Sequence, residues 1–163
     1  MKLFVTKEYF SKAGERIRDL NATLAKIREE KTAAYNEDTN TWHDNFAYEQ
    51  LTREEKQTQK LLADLTSEIN NMCVVPANIK NNTDKVGLYC SVCVNEENLD
   101  TGTETKRQFC IVPLGAEDIL KNMYAYNTPL VKSLIGLSVG DEANVRLPSG
   151  NILITILSVN QLI

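Results

Sequence analysis

The chain has 163 residues and a formal net charge of −4, with 18 Lys+Arg against 22 Asp+Glu. Its 42% hydrophobic and 25% charged residues exclude a wholly disordered chain, and 7 Gly with 4 Pro exclude collagen-like and Pro-rich sequences. A protein that grips duplex nucleic acid by charge alone is usually basic, so no sequence-specific DNA binding is expected here, and any nucleic-acid contact has to be local or pass through a partner.

Met1 to Phe10 has no signal-peptide apolar core before Lys7 and Glu8. No later run reaches the ~18 apolar residues that span a bilayer. A cytoplasmic protein without membrane contact is expected.

From Phe10 the seam residues are Phe10, Ala13, Ile17, Leu20, Leu24, Ile27, Lys31 and Ala34, in alternating steps of three and four. A second seam runs Tyr48, Leu51, Glu55, Thr58, Leu62, Leu65, Ile69 and Met72. Both follow the heptad rule for paired helices, and neither contains Pro. The stretch Tyr35 to Asn45 supplies turn residues between them. The spacing therefore predicts an antiparallel two-helix coiled-coil hairpin within 1–75, with helices near 7–35 and 46–72 and a polar tip near 36–45. A bend near Thr41 pairs residues whose numbers sum to about 82, which sets Ile17 near Leu65 and Leu20 near Leu62. Lys31 and Glu55 then fall close enough to pair. Each helix would run about 40 Å at ~1.5 Å per residue. The apolar stripe is narrow, two residues in seven, where a bundle helix adds further apolar positions. A protruding finger is expected, and its reach is the expected function.

After Met72 the pattern changes. Pro76 forces Val75 out of the helical region. Asn81 to Asp84 reads as a turn, Val86 to Val94 as a strand, Asn95 to Thr105 as a polar turn, and Lys106 to Val112 as a second strand. Thr128-Pro129 opens a short helix that stops before Gly136. Val139 to Asp141 is a turn, Glu142 to Leu147 a strand with Ala143, Val145 and Leu147 inward, Pro148 to Asn151 a tight turn, and Ile152 to Val159 a last strand. About four strands around one helix make residues 76–163 a small α+β domain.

Cys90 and Cys93 have the spacing of half a zinc site, but the other half is absent, because His43 is the lone histidine and no other cysteine pair has metal spacing. Three apart on a strand, they point to opposite faces. With Cys73 and Cys110 they are expected to be reduced structural thiols, zinc or redox chemistry being the alternative.

The segments Asn127-Thr-Pro-Leu-Val-Lys-Ser-Leu-Ile-Gly-Leu-Ser-Val-Gly-Asp141 and Val145-Arg-Leu-Pro-Ser-Gly150 resemble the bacterial Gre factors, the transcript cleavage and elongation factors of RNA polymerase. The family pattern is Ser/Asn-Pro, a helix ending Leu-Ile/Leu-Gly, then Gly-Asp, then a strand into Pro-x-Gly. Val5-Thr6, with a Gly and an Arg in the first helix, is similar too. The likeness covers nearly the whole chain and implies an FKBP-like second domain. It implies a monomer that binds bacterial RNA polymerase and is not itself an enzyme. The hairpin would enter the secondary channel while the second domain docks on the rim. Tip acids would then help hold magnesium shared with the polymerase, which cleaves the nascent RNA 3′ end. No cofactor of its own is implied.

The family tip has two acids three residues apart, followed by Asn-Ala-Glu-Tyr. Here the stretch is Thr41-Trp-His-Asp-Asn-Phe-Ala-Tyr48. Asp44 matches the second acid, and Asn45 and Tyr48 match their counterparts. Thr41 replaces the first acid, and Glu37 and Asp38 upstream would substitute if the loop folds so. Trp42 adds a bulky aromatic, and His43 a possible ligand or proton carrier. The ordinary roles are Asp44 as the N-cap of the second helix, Trp42 packed across the loop and His43 solvated. Three functions follow: a cleavage factor, a non-cleaving secondary-channel regulator, or a peptidyl-prolyl isomerase or chaperone that uses the FKBP-like domain. The last would need an aromatic-lined pocket from only Tyr89, Phe109, Tyr124 and Tyr126.

Overall fold

A computed structural model describes residues 2–37, 45–76, 84–147 and 150–162. The chain is α+β and divides into two compact units, Met1–Lys2 with Glu8–Met72, and Leu3–Lys7 with Cys73–Ile163.

The first unit is a pair of antiparallel helices, α1 (Lys7–Glu37) and α2 (Phe46–Asn71). Their lengths of 31 and 26 residues correspond to roughly 46 and 39 Å. Every seam position from Ala13 to Ala34 and from Tyr48 to Met72 is at least partly withdrawn from solvent, whereas Phe10 stays 39% exposed. Leu20, Leu24, Ile27 and Thr58 are buried at the centre of the pairing. The Lys31–Glu55 meeting expected from the heptads is present. Arg28 and Lys31 meet Glu55, Tyr35 meets Tyr48, and Leu20 lines one groove with Leu61 and Leu65.

The second unit is built on a five-stranded sheet, in the order β5-β4-β3-β7-β6. Its strands are β3 (Cys90–Asn98), β4 (Thr103–Val112), β5 (Met123–Ala125), β6 (Glu142–Leu147) and β7 (Gly150–Gln161). Two short strands, β1 (Leu3–Val5) and β2 (Met72–Val74), pair separately. Alternation sends Val92 and Val94, Phe109 and Ile111, and Ile154 and Ile156 to one face. Helix α3 (Pro129–Leu134) sets Val131 and Leu134, three residues apart, against them. A bulge between Cys93 and Val94 in the β3–β7 pairing lets the long strands twist.

Several expectations need correction. Residues 76–163 hold five described strands, β3 to β7, where about four were expected. The polar stretch 95–105 is mostly strand, since Asn95 pairs with Lys106 and Glu97 with Glu104, and the turn is only Leu99 to Gly102. One face of that ladder is solvated, so polarity there marks an exposed strand surface rather than a loop. Thr128 occupies the N-cap position of α3 but makes no side-chain cap bond, and Pro129 at the first turn sets the helix start instead. The turn expected at Asn81 to Asp84 lies outside the described residues except for Asp84. So does the 148–151 turn except for Gly150 and Asn151, and nothing is described of the Leu147 side chain.

Two segments of the Gre-like pattern have structural explanations. Gly136 follows α3 with φ +87°, and its N–H donates to the Val86 carbonyl at 2.8 Å. Gly140 has φ +90°, and the Asp141 carboxylate accepts from the Ser138 N–H at 2.8 Å, closing that turn. Residues with a Cβ rarely adopt those angles.

Candidate functional site at the end of the helix pair

The candidate site is the end of the helix pair, where α1 stops at Glu37 and α2 starts at Phe46. Asp38, Thr41, Trp42, His43 and Asp44 lie outside the described residues. Glu37 ends α1, and its side chain is likewise outside the description. Asn45 and Tyr48 are described, and both support the end of the pair.

Asn45 bridges the helices. Its Oδ1 accepts from the Tyr48 N–H at 2.8 Å, the side-chain bond that caps α2. Its Nδ2 donates to the Ala34 carbonyl on α1, also at 2.8 Å. The N-cap of α2 is therefore Asn45, and not Asp44 as the residue types allowed.

Behind Asn45 the aromatic and charged side chains interlock. The Tyr35 and Tyr48 rings are tilted at 51° with centroids 6.0 Å apart. The Lys31 ammonium lies 5.2 Å from the Tyr48 ring centroid, within cation–π range. It also donates to Glu55 Oε2 at 2.8 Å, while Arg28 Nε donates to Glu55 Oε1 at 2.9 Å. These bonds, Lys31 first and Arg28 next, hold the Glu55 carboxyl below its ordinary range, and the bond to Glu55 raises the Lys31 ammonium. A shallow groove lined by Arg28, Lys31, Thr32, Tyr35, Tyr48 and Glu55 results. Arg28 and Tyr35 were not singled out in the sequence. The signal for Arg28 was its place three residues before Lys31, one turn away on the same face.

All four cysteines belong to the second unit. Cys90 is buried in the sheet core, its thiol donating to the Gly87 carbonyl at 2.9 Å, and burial pushes that thiol up. Cys93 and Cys110 are half-buried, and Cys73 is exposed. Among the described residues no group of three or more His, Cys, Asp or Glu side chains gathers as a metal site. No described helix is long and apolar enough to cross a membrane.

Comparison with known proteins follows the same line. Residues 80–161 match the family model described as transcription elongation factor, GreA/GreB, C-terminal. Transcription elongation factor GreA of Chlorobium phaeobacteroides (strain BS1) is 24% identical over 159 residues, 97% of this chain and 96% of that protein. The protein of the same name from Chlorobium phaeovibrioides (strain DSM 265 / 1930) is 26% identical over 153 residues, covering 93% and 92%. The crystal structure of GreA factor homolog 1 (Gfh1) of Thermus thermophilus aligns over 98% of this chain and 99% of that one, at 14% identity and a TM-score of 0.43.

Proposed function

Because the chain belongs to the GreA/GreB family of transcription elongation factors, we propose that it enters the secondary channel of bacterial RNA polymerase and stimulates cleavage of backtracked RNA. It acts in the cytoplasm as a monomer and as a cofactor of the polymerase's own nuclease. The observation that supports this reading is a pair of long antiparallel helices joined by a stretch whose sequence carries acids. Glu37 closes α1, and Asp38 and Asp44 fall in the connection before α2, whose start is pinned by Asn45. Helices of about 40 Å offer those carboxylates to a centre buried in another protein.

In this reading the FKBP-like unit docks on the channel rim and supplies affinity together with the helix shafts. Asp44, with Asp38 and Glu37, supplies carboxylate oxygens, the ligands magnesium prefers. Magnesium shared with the polymerase would stabilise the attacking and leaving oxygens of the hydrolysed phosphodiester. Asn45, Tyr48, Trp42 and His43 support the tip, with Asn45 and Tyr48 closing its base.

The test is cleavage of RNA in a stalled, backtracked complex. Wild-type chain should stimulate cleavage, and Asp44→Ala should abolish it with polymerase binding nearly intact. Asp38→Ala should have a similar but smaller effect. Binding without cleavage at any magnesium concentration overturns this reading in favour of a non-cleaving channel regulator. Thr41, standing where the family has its first acid, would then account for the difference.

A further inference from the structure

We propose that Lys31 and Glu55 are positioning residues that pin the register of the helix pair, fixing which turn of α1 faces which turn of α2. This rests on the function proposed above only in why the register matters. The two anchors of the acidic connection, Ala34 and Asn45, sit on opposite helices and move with it.

A heptad seam wants apolar side chains, yet each helix places one charge in it. Both charges are largely withdrawn from water, with side chains 22% exposed for Lys31 and 15% for Glu55. Both Glu55 oxygens are engaged, by Lys31 Nζ at 2.8 Å and by Arg28 Nε at 2.9 Å, with Gln59 Nε2 adding a 3.3 Å contact to Oε1. From Lys31 the contacts continue to the Tyr48 ring, and from the Tyr48 N–H through Asn45 to the Ala34 carbonyl. A partly desolvated ion pair seldom stabilises more than apolar residues of the same volume, so stability alone does not account for it. Selectivity does. The rest of the seam is mostly apolar on both helices, and a repeating heptad pattern tolerates a slip of one heptad, roughly 10 Å of helix. In a slipped pairing Glu55 would face Leu24, leaving a carboxylate against an apolar side chain without a cation.

The experiment measures register on the isolated chain. Spin labels are carried by a ketone-bearing amino acid at exposed Lys26 on α1 and Lys56 on α2, so that the four cysteines are untouched. The otherwise unchanged chain should give one narrow distance. Lys31→Leu/Glu55→Leu should stay helical but give a second, longer distance, because a slip of roughly 10 Å along the axes adds at right angles to the separation of the labels. The charge swap Arg28→Glu/Lys31→Glu/Glu55→Lys, which reverses both cations that meet Glu55, should restore the single distance. A single unshifted distance in the double-leucine chain overturns the proposal, and so does a second distance in the charge-swapped chain. RNA cleavage measured beside it should fall on the order of ten- to hundred-fold in the double-leucine chain at saturating concentration, and recover in the swap. The distance is read without polymerase. A chain that fails to stimulate cleavage leaves the register result standing, and a failed register test leaves the cleavage reading standing.

Discussion

Asn45 joins two helices with one amide, and two substitutions separate its two bonds. Asn45→Ala removes both the 2.8 Å cap to the Tyr48 N–H and the 2.8 Å bond to the Ala34 carbonyl. Loss of the cap costs about 1 kcal/mol, and loss of the second bond about 0.5–1.5 kcal/mol. Local opening at the start of α2 should therefore become easier by about 2 kcal/mol, roughly thirty-fold in equilibrium constant. Asn45→Asp keeps an acceptor for the Tyr48 N–H and adds negative charge at a helix N-terminus, where the dipole favours it. It loses only the donor to Ala34, a cost near or below ~1 kcal/mol. Amide hydrogen exchange at Tyr48 is the assay. The alanine chain should exchange roughly thirty-fold faster and the aspartate chain less than about five-fold faster. Equal acceleration in both would refute the capping role, and an unchanged rate in the alanine chain would refute the whole account of Asn45.

Two more outcomes follow from the packing and the charges. Leu134 is fully buried between α3 and the sheet, so Leu134→Ala should destabilise the second unit by about 2–5 kcal/mol in urea unfolding; a loss under ~1 kcal/mol would mean that α3 is not part of the core. Glu55 has its pKa lowered from 4.5 and Lys31 has its pKa raised from 10.5. Their pairing therefore supports the helix pair fully between those two ordinary values. It is lost as pH falls through the lowered Glu55 value, and again as pH rises through the raised Lys31 value. The difference in thermal midpoint between wild type and Glu55→Gln, followed by helical circular dichroism, should be present at neutral pH and vanish in acid. A difference that persists unchanged in acid would contradict the pairing.

The helix pair was legible because a heptad is a long, repeated signal. It gave both helices, their direction, and the Lys31–Glu55 meeting. The short strands were not legible. Strand β1 has three residues, and the chain around it is held by distant backbone partners, Phe4 and Thr6 with Leu114 and Val5 with Val75. Strand β5 owes its form to parallel pairing with Cys110 to Val112 in β4. Such elements follow from tertiary pairing rather than local pattern. The reach of β3 and β4 was hidden because Asn95 to Asn98 and Thr103 to Lys106 are polar, and a solvated ladder looks like a loop. At the site, the residue types suggested Asp44 as the cap of α2, whereas Asn45 caps it and also reaches across to the Ala34 carbonyl, a tertiary contact that no local pattern announces. The Gre-like pattern in the second unit lies at turns that demand positive φ, as at Gly136 and Gly140. It therefore reports fold and family, while the cleavage chemistry proposed above rests on acids in the sequence of the first unit.

The measurement that bears most directly on the central claim replaces the polymerase's catalytic magnesium with ferrous iron and maps where hydroxyl radicals cut this chain in the bound complex. Radicals act close to the metal, so cuts confined to residues 37–45, together with stimulated RNA cleavage that Asp44→Ala removes, are the predicted result. Cuts in the sheet unit, or none in a complex shown to be bound, would contradict delivery of the acidic connection to the catalytic metal.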